Sequence, residues 1–137
     1  MADEHFATCN WSPSGGYDAH TPYGAVPMFC EEGHRAVELM LLSAASCLNF
    51  FLVEYAQARE LDVTHLGVEC VGAVVTGPTR VAEIETRVSV VGSLEEKEVQ
   101  KMVAMCERAC KVMNTLKQSP ETRVKISLSP AEAGSGA

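Results

Sequence analysis

Apolar residues dominate one stretch of the chain from about His34 to Glu60. Val37, Leu39, Met40, Leu41, Leu42, Leu48, Phe50, Phe51 and Leu52 follow one another too closely for an alternating strand, and the length predicts a single long helix. Placed on a 3.6-residue turn, they point in every direction. A helix that is apolar all round must be covered on all sides, so it is expected at the centre of the fold, wrapped by sheet, by other helices or by a second subunit. The most apolar part, 37–53, is interrupted by Glu38, Ser43, Ser46 and Asn49. It falls short of the roughly 20 apolar residues that a membrane span needs, which predicts a buried helix and no membrane partner.

Elsewhere the period is two. Arg80–Val91 places Ile84, Thr86, Val88 and Val90 on one face and Glu83, Glu85, Arg87 and Ser89 on the other. His65–Val75 is rich in strand formers, and Thr76-Gly-Pro-Thr79 between the two predicts a hairpin turn. Phe6–Trp11 reads as a short strand before the turn Ser12-Pro-Ser-Gly-Gly16. The stretch 17–33 is broken by glycine and proline, with a short strand expected around Ala25–Phe29. Ser93-Leu-Glu-Glu96 has the form of a capping box. It opens a second helix with Val99, Met102, Val103, Cys106, Ala109, Cys110, Met113 and Leu116 at helical spacing, closed by Pro120. A last strand is expected at Thr122–Ser129, where Val124, Ile126 and Leu128 alternate with polar residues. The small polar residues 131–137 predict a flexible tail. The fold class is α+β, and 1–137 reads as one domain whose first 33 residues form a strand and loop region.

Charge narrows the function. With 18 acidic against 11 basic residues the net charge is −7, and the basic residues are scattered, so nothing here would neutralise a nucleic-acid backbone. The acidic start Met1-Ala-Asp-Glu-His5 does not resemble a secretory leader. A cytoplasmic location is therefore expected, with the six cysteines mainly free thiols.

Those thiols are the candidate chemistry. Cys47 lies in mid-helix behind Ala44-Ala45-Ser46, whose small side chains let another element approach closely. Cys110 follows Glu107-Arg108-Ala109 and precedes Lys111. Each by itself reads either as a small packed hydrophobe or as a nucleophile, for which a nearby positive charge or helix N-terminus must stabilise the thiolate. Cys106 and Cys110 share a helical face, but a zinc site takes about four ligands and no other paired spacing supplies them. Cys106 is read as packing, and no metal or cofactor is expected. Glu38 is the charge within the apolar helix. It is nine residues before Cys47, which places the two on opposite faces of one helix. There is no glycine-rich phosphate loop, no Gly-x-Ser-x-Gly elbow and no Cys-x-x-Cys pair.

Ala36-Val-Glu-Leu-Met-Leu-Leu-Ser-Ala-Ala-Ser-Cys47, followed after two strands and a helix by Cys110-Lys-Val-Met-Asn-Thr-Leu116, resembles the paired motifs of the OsmC/Ohr family. The likeness covers about 34–130. It implies an intertwined homodimer in which two long central helices pack together against antiparallel sheets with strands from both chains. It also implies a thiol-dependent hydroperoxide reductase serving oxidative-stress defence. Cys47 would be the peroxidatic thiol and Cys110 the resolving thiol, with Glu38 assisting at the helix start, a small hydroperoxide as substrate and a dithiol as reductant. The activating arginine of that family normally comes from the N-terminal hairpin, yet the first 34 residues here hold none. Arg35 is the nearest substitute. Lys111, standing where the family has proline, adds a positive charge beside Cys110. Ala36 and Val37 replace the proline before the glutamate, and the register of Glu38 is that of the OsmC-like branch. The alternative is an OsmC-like protein without peroxidase turnover that binds a small ligand or senses redox state at the dimer interface.

Overall fold

The computed structural model describes residues 4–131. Its elements run β1 (Thr8–Ser12), β2 (Gly16–Thr21), β3 (Gly24–Ala25), α1 (Ala36–Ala58), β4 (Val63–Val75), β5 (Arg80–Gly92), α2 (Glu96–Ala109) and α3 (Lys111–Lys117). β1, β2 and β3 form one antiparallel sheet, and β4 and β5 a long antiparallel hairpin. α1 lies on the hairpin through β4, and α2 and α3 also pack on α1. The β1–β3 sheet makes no extensive contact with these elements.

The long central helix stands as the sequence predicts, and so does the β4–β5 hairpin. Ile84, Thr86, Val88 and Val90 turn inward and Glu83, Glu85, Arg87 and Ser89 face out, because adjacent residues of a strand point to opposite sides. The core forms where Ala44, Leu48 and Leu52 of α1 meet Met102, Cys106, Cys110 and Met113, with Leu66, Val68, Cys70, Val88 and Val90 of the hairpin packed against them. α1 is long and apolar enough to cross a membrane by composition, but here one of its faces builds this core. Leu52 is fully buried in it, so Leu52→Ala is expected to lower unfolding stability by about 2–5 kcal/mol, read as a drop in the midpoint of denaturant unfolding.

Four expectations need correction. The N-terminal strand continues into a second, β2, that the sequence pattern did not mark: Tyr17, Asp18, Ala19 and His20 pair with β1 although both strands are largely exposed and so carry no burial pattern. The expected strand around Ala25–Phe29 is reduced to β3 at Gly24–Ala25. The capping box does not form. Glu95 is the N-cap of α2 without a side-chain bond, while the Ser93 N–H donates to the Asp62 carbonyl at 2.9 Å. That bond ties Ser93 to the end of the hairpin and delays the helix. It also accounts for Gly92, where a β-carbon would collide with the Asp62 carbonyl. Finally, Thr122–Ser129 forms no strand and pairs with nothing in the described residues. Val124, Ile126 and Leu128 are 87%, 90% and 92% exposed. The expected tail beyond Ala131 lies outside the described residues.

Candidate active site

The expected second helix breaks at Cys110, and the break shapes the site. Cys110 is at once the C-cap of α2 and the N-cap of α3, with extended backbone angles (φ −74°, ψ 110°). Its Sγ accepts from the Met113 N–H at 3.5 Å. The corner is held from outside as well. The Asn114 side chain donates to the Arg108 carbonyl at 3.0 Å, which satisfies a carbonyl at the end of α2, and Lys117 of α3 pairs with Glu107 of α2. The apolar face of α2 continues through the corner into Met113, so the helical periodicity of the sequence is uninterrupted and gives no sign of the break.

Cys47 meets this corner from α1. It is half-buried and packs against the core cluster that contains Cys110, which is 0% exposed. Burial pushes the Cys110 thiol above the ordinary cysteine range. The Met113 N–H pulls it back, and the Cys47 thiol raises it again, as hydrogen-bond partner and as a like charge once ionised. Two thiols from separate helices therefore share one core. One is partly open to solvent, and the other is buried and held as the protonated thiol at neutral pH.

The raised Cys110 pKa has a consequence for stability. A thiol that ionises less readily folded than unfolded stabilises the fold fully below the unfolded pKa, about 8.5. That contribution is lost as pH rises through the folded value. Cys106, also raised chiefly by burial, acts in the same direction. Denaturant unfolding is expected to show stability insensitive to these two groups below about pH 8 and declining above it, with the decline reduced in Cys110→Ala.

Of the other expected site residues, Glu38 and Arg35 lie apart from the pair within this chain. Glu38 is in the first turn of α1, exposed, and nine residues of helix put it about 13 Å along the axis from Cys47 and on the opposite face. Arg35 is the N-cap of α1 with no side-chain capping bond, about 18 Å along the axis from Cys47. Lys111 opens α3 beside Cys110 and faces solvent. Sequence reasoning missed a cleft of about 710 Å³ next to the corner. Val37, Met40, Ile84, Met113 and Leu116 give it an apolar lining, and Arg80, Glu107 and Lys117 give it charge. Met113 connects it to the pair, since its N–H holds the Cys110 sulfur. Nothing in the spacing of Arg80 and Lys117 along the chain would have found it. Among the described residues, no three His, Cys, Asp or Glu side chains converge as a metal site would require.

Residues 31–125 match the family described as OsmC-like protein. That span contains both cysteine segments and every element from α1 to α3. The chain belongs to the OsmC-like family. Solved structures agree on the fold. An OsmC-like protein from Mycoplasma pneumoniae superposes with a TM-score of 0.74 at 17% identity, covering 87% of this chain and 91% of that one. A hypothetical protein from Aquifex aeolicus gives 0.73 at 22%, covering 86% and 90%. An organic hydroperoxide resistance protein from Legionella pneumophila gives 0.60 at 14%, covering 86% and 92%. Compared with curated proteins, the sequence finds no match. In this OsmC-like chain the two cysteine segments come together around one core, and the charged residues at the start of the central helix stand apart from them.

Proposed function

We propose that the chain is a thiol-dependent hydroperoxide reductase acting in oxidative-stress defence, with Cys47 peroxidatic and Cys110 resolving. The observation that carries this reading is that a half-buried thiol on α1 packs against the core cluster that holds the fully buried Cys110 at the α2–α3 corner. The Cys47 thiolate attacks one oxygen of the hydroperoxide, the O–O bond breaks, and an alcohol leaves as Cys47 becomes a sulfenic acid. The Cys110 sulfur then attacks the Cys47 sulfur, water leaves and a disulfide forms. A dithiol returns both to thiols by exchange. The solvent-open member of the pair meets the oxidant, while the buried member stays protonated until the sulfenic acid forms beside it. Fold similarity to proteins named for organic hydroperoxide resistance supports the same reading, and the six free cysteines suit a reducing cytoplasm.

The working form in this reading is a homodimer. Leu42 and Phe50 on the outer face of α1 are 57% and 60% exposed, and the apolar side of 122–128 is uncovered. Exposed apolar area of this kind is characteristic of an interface. In the second copy Glu38 and Arg35 would find the partners they lack within one chain. The test is intact-mass spectrometry of the reduced protein after one equivalent of tert-butyl hydroperoxide. Rapid loss of two hydrogens per chain is expected. Slow addition of oxygen spread over many cysteines overturns the assignment.

The distance of Arg35 from Cys47 favours a second reading: an OsmC-like protein without turnover, whose thiol pair senses redox state and whose cleft beside Met113 binds a small ligand. It predicts the same disulfide with negligible hydroperoxide consumption in the presence of a dithiol.

A further inference from the structure

One residue, Asn114, holds the corner that carries Cys110 from both sides. α2 ends at Ala109 and α3 begins at Lys111. In an unbroken helix the Arg108 carbonyl would accept from the Val112 N–H, four residues on. Here that N–H acts on the Cys110 sulfur instead: burial raises the Cys110 thiol, while the Met113 N–H and, less strongly, the Val112 N–H pull it back. The Asn114 side chain supplies the missing donor, reaching back to the Arg108 carbonyl at 3.0 Å. The backbone of the same residue is a second anchor, since its N–H donates to the Cys110 carbonyl at 3.0 Å. The Cys110 N–H donates to the Glu107 carbonyl at 3.2 Å. The direction of the Cys110 side chain is thus set by peptide groups before and after it, and Asn114 fixes one of each. Asn114 itself is exposed and is no part of the core cluster, so packing does not account for it.

We propose that Asn114 is a positioning residue for the resolving step: its side-chain amide holds the corner so that the Cys110 sulfur is aimed at the sulfenic acid formed on Cys47. The inference rests on the hydroperoxide-reductase reading, which supplies that sulfenic acid. In the step it governs, the Cys110 sulfur attacks the Cys47 sulfur. The S–S bond forms, the S–O bond of the sulfenic acid breaks, and the hydroxide leaves with the Cys110 proton as water. No outside oxidant or reductant enters. Asn114 touches none of the reacting atoms and acts through the backbone around Cys110. This step runs in competition. A second hydroperoxide can oxidise the waiting sulfenic acid to a sulfinic acid, which a dithiol does not restore. Placement of the resolving sulfur decides that race, because a displacement of about 1 Å can cost about a hundredfold in rate.

The test separates the two thiol steps. Reduced parent, Asn114→Ala and Asn114→Asp receive tert-butyl hydroperoxide and are quenched in dimedone, which labels sulfenic acids, over a time course. Each sample is weighed intact and digested with trypsin, which releases Cys47 as the sole cysteine of peptide 36–59. Both variants are expected to consume the first equivalent at the parent rate. Disulfide formation, read as loss of two hydrogens, should slow by about tenfold or more, and labelled peptide 36–59 should accumulate. With excess hydroperoxide Cys47 should gain two oxygens where the parent stops at the disulfide. Asn114→Asp distinguishes donation from shape, since a carboxylate of the same size only accepts. Thr115→Ala is the control for a loosened α3: its hydroxyl donates to the Lys111 carbonyl at 2.8 Å within α3, and its loss should leave resolution at the parent rate. Parent-rate disulfide formation in Asn114→Ala or in Asn114→Asp overturns the positioning role and leaves the reductase reading standing. Equal slowing in Thr115→Ala overturns it as well. A parent that gives neither dimedone adduct nor disulfide overturns both. Thermal melting reads folding separately: a merely structural role lowers the midpoint and leaves the ratio of sulfinic acid to disulfide unchanged. Should Asn114→Ala fail to fold, the isosteric Asn114→Asp carries the test.

Discussion

Cys47→Ser is expected to abolish dithiol-dependent consumption of tert-butyl hydroperoxide, with a loss above about 10³-fold, on the scale seen when a covalent nucleophile is removed. A serine hydroxyl is isosteric enough to keep the packing of the half-buried α1 position but is not a nucleophile at neutral pH without a base. Cys110→Ser separates the two roles. The sulfenic acid at Cys47 should still form, so one equivalent of hydroperoxide is still consumed. It then has no thiol at the corner to condense with, and the protein should gain one oxygen rather than lose two hydrogens. Cys110 is fully buried, and the new hydroxyl there costs stability unless it is hydrogen-bonded. The Met113 N–H that now holds the sulfur offers one bond, so the variant should fold at reduced stability. Stopped-flow consumption combined with intact mass reads both effects. Parent-like turnover in Cys47→Ser would remove Cys47 from the chemistry.

What the sequence revealed of this site depended on the length of apolar runs, on periodicity and on order. The β4–β5 hairpin was legible because burial of one face imposes a period of two, and α1 because its apolar run is too long and too dense for a strand. β2 was not legible because Tyr17–His20 pair with β1 without burying a consistent face. The corner at Cys110 escaped for a different reason. One residue with a ψ of 110° redirects the chain, yet Met113 beyond it continues the apolar row. That corner sets the site, because it is where a sulfur can be both buried and held by a backbone N–H. The juxtaposition of Cys47 and Cys110 was suggested by the resemblance of their flanking segments to a family and not by their spacing. The cleft residues Arg80, Glu107 and Lys117 come from three separate elements, and no local pattern links them.

Replacing Val124, Ile126 and Leu128 together by lysine is expected to convert the proposed homodimer to monomer. Their alternation in 122–129 is that of a strand with one buried face, but the described residues supply neither the neighbouring strand nor the apolar surface. Alternation states which side of a strand is to be covered and is silent about whose atoms cover it. Meanwhile, among the described residues β4 and β5 form a two-stranded sheet, each strand with an outer edge that no other strand covers, an arrangement that invites pairing by another chain. A segment with the alternation of a strand and an open sheet edge are complementary across two copies. Burying three such side chains fully is worth about 1.5–3 kcal/mol each, so the triple variant should forfeit on the order of 5 kcal/mol of association. That is several thousandfold in dissociation constant at about 1.4 kcal/mol per tenfold. Sedimentation should show the parent at about twice the chain mass of 14.7 kDa and the variant at the chain mass. The central helix is the internal control. Leu42 and Phe50 lie on the same proposed interface, so Phe50→Lys should weaken the dimer independently of the C-terminal segment. A parent protein that sediments as a monomer at concentrations where it consumes hydroperoxide would remove the second copy from the site.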